Sequence, residues 1–258
     1  MYKANTKHYT FQFSIFNFQF NMSNNYFCFK QFAIVQDNAS MKVGTDGVLL
    51  GAWCNCIGAQ RILDIGTGTG LLAIMAAQRS NAKITAVEID ANACIDAITN
   101  FDNSPWANRL ELLNLPIQEF AEDSPEHFDC IICNPPFFSN SLKTPSDGRN
   151  LARHDDSLTP TDLFDCTAKL LTNNGLISII IPIERLDEYK FEAQKHQLFI
   201  TRKTTIQPTE NLPPHRIMAE FSYTNSKTIE ENLIIEQGGR HNYSTEYINL
   251  TKDFYLKF

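Results

Sequence analysis

From Arg61 onward the chain alternates between two kinds of apolar pattern. Short, nearly continuous apolar runs read as strands, and longer stretches with apolar residues every three or four positions read as helices. The strands predicted are RILDIG, KITAVEID, RLELLNL, HFDCIICN, GLISIIIP, QLFITRKTTIQP and HRIMAEFSYT. The helices predicted between them include LLAIMAAQ, ANACIDAITNF, PTDLFDCTAKLLT and ERLDEYKFEAQKH. Pro160 opens the third of these helices, at a position where its missing N–H removes no helical hydrogen bond. Seven strands alternating with helices and closing on a strand pair imply an α/β fold, with a doubly wound, mostly parallel sheet and an antiparallel end. A further piece, TIEENLIIEQ, is strand-like but charged. The closing YSTEYINLTKDFYLKF carries five aromatic residues, so it is expected to dock on the domain and not to trail from it.

Two interruptions of this pattern carry chemistry. The first is LDIGTGTGL, residues 63 to 71, a glycine-rich turn between a strand and a helix. Glycines there let backbone amides approach a ligand, and the helix N-terminus favours negative charge. The dinucleotide pattern G-x-G-x-x-G fails, because its third glycine falls on Leu71. The spacing Asp64-x-Gly66-x-Gly68-x-Gly70 instead resembles Rossmann-like methyltransferases that bind S-adenosylmethionine. That resemblance gives Asp64 the role of attracting the cofactor's ammonium group. Glu88, closing the next strand, is placed to accept from ribose hydroxyls. The alternative for Glu88 is to cap the helix beginning near Ala91.

The second interruption is FDCIICNPPFF, where an apolar strand stops at Asn134, Pro135 and Pro136, followed by Phe137. Taken alone, this is equally a strand end with no chemistry. Behind the glycine loop it resembles the Asn/Asp-Pro-Pro-Phe/Tyr motif of amino-methyltransferases. In those enzymes the amide oxygen and the first proline's carbonyl accept the two protons of a planar NH2 group, which helps turn the nitrogen towards sp3. The prolines hold the preceding residues extended, and the resemblance makes Phe137 a face on which a flipped base stacks. Adenine N6, guanine N2 and glutamine amides are all planar amines, so the motif leaves the substrate open. The flanks FKQFAIVQDNASMKVGTDGVLLGAW (29 to 53) and NPPFFSNSLKTPSDGRNLARHDDSLT (134 to 159), with the ending DFYLKF, resemble the bacterial tRNA1(Val) adenine N6-methyltransferases.

That family implies a class I methyltransferase fold, S-adenosylmethionine as cofactor and a cytoplasmic site of action. Its substrate is adenine 37, immediately 3′ of the anticodon of a valine tRNA. It also implies that Thr45 and Asp46 lie near the cofactor's carboxylate or ammonium, with Lys42 close by. As a plain helix entry, GTDGVLL makes Asp46 a cap. One departure stands out: Pro116 occupies the place where such enzymes carry an acid for the cofactor's adenine, which leaves the Ile117 amide and apolar packing to hold that ring. Guanine-N2 methylation of ribosomal RNA, glutamine methylation of a release factor, and RNA binding without turnover remain as alternatives at this point.

The net charge of −7 argues at first against a nucleic-acid partner, but Glu88 to Asp129 holds ten acids and one base, leaving +2 for the remainder. Lys195, Arg202, Lys203 and Arg216 face one acid, and Lys143, Arg149, Arg153 and His154 follow the Asn-Pro-Pro motif directly. The expected phosphate contacts are Lys42, Arg149, Arg153, Arg202, Lys203 and Arg216. His154 reads as a phosphate or substrate contact, or alternatively as a buried structural histidine. The seven cysteines form no set at zinc spacing and read as reduced core thiols, with Cys130 and Cys133 on opposite faces of one strand. No run of eighteen apolar residues exists, so no membrane span is expected; no resident metal and no obligatory protein partner is expected either.

Residues 1 to 21 alternate phenylalanine with Gln, Ser and Asn and lack the features of a signal peptide. They are expected to be a non-native extension ahead of a natural start at Met22, with 22 to 258 forming one domain. Intact-mass measurement of the natively expressed protein should give a species beginning at Met22. A species beginning at Met1 overturns that start.

Overall fold

The computed structural model describes residues 25–136 and 158–258. The expectations for residues 1 to 21, Met22, Phe137, Lys143, Arg149, Arg153 and His154 fall outside them. Tyr26–Cys28 (β1) and Ala33–Val35 (β2) pair as a small antiparallel hairpin. Then follow Thr45–Trp53 (α1), Arg61–Ile65 (β3), Leu71–Arg79 (α2), Lys83–Glu88 (β4), Ala91–Asp102 (α3), Leu110–Asn114 (β5), Ile117–Asp123 (α4) and Phe128–Cys133 (β6). The second half comprises Pro160–Leu170 (α5), Leu171–Pro182 (β7), Leu186–Lys195 (α6), Phe199–Thr209 (β8), Arg216–Ser222 (β9), Ile229–Glu236 (β10) and Thr245–Thr251 (α7).

The main sheet has eight strands, in the order β10-β8-β9-β7-β6-β3-β4-β5, one more than the seven expected. The addition is β10, which lies parallel to β8 at the sheet's edge. An edge strand needs only one covered side, and of its residues only Leu233 is buried, which is why TIEENLIIEQ looks charged in sequence. β9 runs antiparallel to both its neighbours and forms the expected antiparallel element. All other pairings in this sheet are parallel.

Helices cover both faces. On one side α1, α2 and the hairpin bury Val48, Leu50, Ile74 and Met75 against Ile62, Cys130 and Ile132. On the other, α5 and α6 bury Leu163, Phe164 and Tyr189 against Leu63, Ile131 and Cys133. Cys130 and Cys133 therefore point to opposite cores, as the strand period requires. All seven cysteines are free, and only Cys28 is exposed. The C-terminal segment docks, with Phe254 buried and Tyr255 and Phe258 packed edge-on to each other against Tyr247. The Lys30 ammonium closes this contact by donating to the carbonyls of Lys252 and Phe258. Among the described residues no helix is long and apolar enough to cross a membrane.

Pro160 opens its helix as expected, and side-chain caps stand at two helix starts. Thr159 and Asp162 form a reciprocal capping box ahead of Pro160. Asp90 caps α3 by accepting from the Asn92 amide. At the other end of the site, α1 is anchored by its last residue. Trp53 Nε1 donates to Thr204 Oγ1 at 2.8 Å, and the Arg202 guanidinium lies 3.8 Å above the Trp53 ring.

Candidate active site at adjacent strand ends

The chain leaves β3 towards β4 and β5, then returns to pair β6 on the other side of β3. That reversal of direction leaves a crevice at the carboxyl ends of the strands, where open α/β sheets bind ligands. The register Ile65↔Cys133 and Ile65↔Val87 sets Gly66, Asn134 and Glu88 side by side at the ends of three neighbouring strands. Neighbouring strands stand about 4.8 Å apart, so these residues face one small volume.

The glycine loop has the geometry its spacing implied. Gly66, Gly68 and Gly70 have φ of 69°, 55° and 83°, values that side chains disfavour. At Gly70 a Cβ would also stand 2.5 Å from Cε1 of Phe101, a buried α3 residue. The loop is stitched down by Gly66 and Thr67 amides donating to the Val87 carbonyl. Asp64 lies beneath it, fully buried. Its Oδ2 accepts from Thr67 Oγ1 at 2.5 Å and from the Ala73 amide in the first turn of α2 at 3.0 Å. Its Oδ1 is buried and has no partner among the described residues. Burial outweighs both hydrogen bonds and pushes the Asp64 carboxyl up to about 7.

Glu88 accepts from the Gly68 amide at 2.8 Å and from the Asp90 amide at 2.9 Å. It braces the loop, while the capping of α3 falls to Asp90. Each carboxylate oxygen keeps a second lone pair for a ligand hydroxyl. Across the crevice, Asn134 is half-buried and Pro135 buried. Asn134 Oδ1 is a second buried acceptor with no partner among the described residues. Leaving such an atom unsatisfied costs about 1–3 kcal/mol, so two of them beside one glycine loop mark a place built to receive donors.

The remaining expected residues divide into those the fold brings to this crevice and those it does not. Thr45 is the exposed first residue of α1, and the helix is capped by Gly44, not by Asp46. The first turns of α1 and α2 abut, since a Cβ on Gly47 would come within 3.1 Å of Leu71 Cδ2. Asp46 accepts from Arg216 Nε at 2.8 Å, which ties α1 to the start of β9. Arg216 pairs in register with Pro182, at the same end of the sheet as the motif. Lys42 is exposed just before α1. Pro116 is the N-cap of α4, so the Ile117 amide sits at the first helical position, where no intrahelical acceptor exists.

Arg202 and Lys203 are not brought to the crevice. Both stand on β8, three strands from β6. Arg202 pairs with Glu220 at 3.2 Å while covering Trp53, and Lys203 pairs with Glu230 at 3.1 Å. Both charges are paired with carboxylates of neighbouring strands. Sequence reasoning also passed over Asp96 and Asn100, two buried polar residues one helical turn apart on α3. The signal was present: both share a face with Ala93, Ala97 and Phe101, where an amphipathic helix places apolar residues. Among the described residues no cluster of His, Cys, Asp and Glu is placed to hold a metal ion.

Comparison with known proteins bears on this crevice. Residues 44–181 match the family model described as "Methyltransferase small domain". The chain is 43% identical over 236 residues to a protein of Parabacteroides distasonis, covering 92% of this chain and 100% of that one. It is 45% identical over 238 residues to one from Bacteroides thetaiotaomicron, covering 91% and 99%. Both relatives are named tRNA1(Val) (adenine(37)-N6)-methyltransferase. Among solved structures, one described as "a predicted O-methyltransferase, protein Atu636 from Agrobacterium tumefaciens" superposes with a TM-score of 0.60 at 20% identity, covering 81% of this chain and 96% of that one. At that identity the likeness is one of fold.

Gly70→Ala should lower stability by about 2 kcal/mol or more, since it combines a left-handed backbone with a clash against Phe101. Denaturant unfolding measures it, and the same change at exposed Gly58 should cost clearly less because nothing lies within 4 Å of its Cβ position.

Proposed function

The chain belongs to the tRNA1(Val) (adenine(37)-N6)-methyltransferase family, and from that premise we propose that it methylates N6 of adenine 37 in the anticodon loop of a valine tRNA, in the cytoplasm, using S-adenosylmethionine. The observation that carries this reading is the pair of buried acceptors, Asp64 Oδ1 and Asn134 Oδ1, that have no partner among the described residues and are set around one glycine loop. They suit a ligand with an ammonium group on one side and a base with a free amine on the other. S-adenosylmethionine, when bound, supplies a methyl group carried on a positively charged sulfonium.

The chain's own residues divide the work as follows. Gly66, Gly68 and Gly70 admit the ligand to the backbone, and Asp64 takes its ammonium. Glu88 takes the ribose hydroxyls, and the Ile117 amide and its apolar surroundings hold the adenine ring. Thr45 and Asp46 close the amino-acid end, with Lys42 at the rim. Asn134 Oδ1 and the Pro135 carbonyl accept the two N6 protons of the substrate adenine. Gripping both protons withdraws the nitrogen lone pair from the ring and directs it outwards, while Pro135 and Pro136 keep both acceptors in place. Phe137 stacks on the base. Arg149, Arg153 and His154 follow the motif in sequence and are assigned to phosphate contacts. The displaced amine proton leaves to solvent, so no side chain is needed as a base.

Asn134→Ala should abolish methyl transfer while changing the affinity for S-adenosylhomocysteine by less than about threefold, since it deletes one substrate hydrogen bond. Turnover at the wild-type rate discards the mechanism. Nucleoside mass spectrometry of a deletion strain should show loss of N6-methyladenosine from one valine tRNA, and an unchanged RNA pool discards the substrate.

Asp64 adds a pH dependence. With its carboxyl raised to about 7 in the ligand-free protein, Asp64 is largely protonated below that pH. An ammonium ligand selects the ionised form, so binding lowers this pKa and releases a proton. Affinity for S-adenosylhomocysteine should therefore tighten as pH rises from 5.5 towards 7 and then level off, with proton release visible by calorimetry in buffers of different ionisation enthalpy. Asp64→Asn should remove the slope; an unaltered slope in that variant assigns the titration elsewhere. In the ligand-free protein the sign is opposite. A carboxyl raised above its unfolded value of 3.8 stabilises the fold at low pH, and that contribution is lost as pH rises from about 4 through 7.

A further inference from the structure

Residues 36–44 connect the hairpin to α1 without helix or strand, so their backbone groups need partners from elsewhere. α3 supplies them. Asp96, 1% exposed, accepts through Oδ2 from the backbone amides of Asn38 and Ala39, both at 2.8 Å. Its Oδ1 accepts from the Asn38 side-chain amide, also at 2.8 Å. One turn along, the equally buried Asn100 accepts from the Val35 amide at 2.7 Å and donates to the Val35 carbonyl at 2.8 Å. The same Asn100 Nδ2 donates to the Thr69 carbonyl, inside the glycine loop, at 2.8 Å. The next residue, Phe101, packs against Gly70. Gln36 Oε1 closes the segment by accepting from the Val43 amide at 2.8 Å.

One face of α3 thus holds both the segment that delivers Thr45 and Asp46 and the loop of glycines 66 to 70. Desolvating a carboxylate and an amide on the buried face of a helix is costly, and apolar side chains would fill the same space. What the polar pair adds is a fixed position for two backbone segments that no sheet or helix aligns. We propose that Asp96 and Asn100 are positioning residues for the cofactor. They set the distance between the segment before α1 and the glycine loop, and so the affinity for the amino-acid end of the ligand. This rests on the reading that these two segments enclose the cofactor.

The test uses the full chain, S-adenosylhomocysteine as the calorimetric probe and thermal unfolding without ligand as the control. Asn38→Ala deletes one hydrogen bond from an exposed side chain and should weaken the probe about fivefold, while Asp96→Ala deletes all three bonds to the segment and should weaken it about tenfold or more. Asp96→Asn can keep the two backbone amides on its oxygen and pair its amide with the oxygen of a flipped Asn38, and should retain affinity to within about threefold of wild type. A purely structural role lowers the melting temperature but leaves affinity unchanged in folded variants, and that result overturns the proposal. If Asp96→Ala does not fold, Asn38→Ala decides alone by the same criterion. Wild-type protein that fails to bind the probe overturns the cofactor reading itself and the inference with it.

Discussion

The parallel hydrogen-bond ladder between β3 and β6 is the constraint on which the site depends. These strands are separated by three crossovers in sequence, yet the ladder aligns Ile65 with Cys133 and so sets Gly66 beside Asn134. A slip of one residue would turn Asp64 from the α2 side of the sheet to the α5 side, because side chains alternate between faces. The register is protected by burial on both faces: Ile62 and Cys130 feed one core, Leu63 and Ile131 the other. The apolar interior therefore specifies where the polar chemistry sits.

Around that ladder the other elements are held by buried polar contacts that keep the crevice in shape. Asp64 ties β3 to the first turn of α2, and Glu88 ties β4 to the glycine loop. α1 is pinned at its start by Asp46 to Arg216 and at its end by Trp53 to Thr204. Asp46 and Arg216 remain partly exposed, so that ion pair orients more than it stabilises. α3 supports the glycine loop from behind through Asn100 and Phe101. The arrangement concentrates desolvated acceptors in one place and raises the Asp64 carboxyl to about 7, so a bound cation shifts it to its ionised form.

Much of this was legible in the chain. The glycine spacing from Asp64 to Gly70 marked a turn between strand and helix, which the structure builds with positive φ angles that glycine occupies freely, and the strand ends at Glu88 and Asn134 followed from apolar runs that stop. Local signals also gave the entry of α5 at Pro160 and the docked aromatic terminus. The partners of charged residues were not legible. Arg202 and Lys203 look like free cations in sequence, but Glu220 and Glu230 lie on neighbouring strands and neutralise them. Strand pairing decides such partners, and no local pattern encodes it. The eighth strand was obscured for a related reason, since an edge position tolerates the charges that its sequence carries.

By itself the sequence determined what is local: the alternation of strands and helices, the turn that only glycines can make, and the rigid Asn-Pro-Pro strand end. These depend on backbone sterics and side-chain period, which act over a few residues. Tertiary structure alone decided which of these features meet. It placed the glycine loop beside Asn134, withdrew Arg202 into a contact with Trp53, and turned Asp96 and Asn100 of a helix into the support for two distant loops. Those outcomes follow from strand order and packing, in which residues far apart in the chain compete for the same buried space.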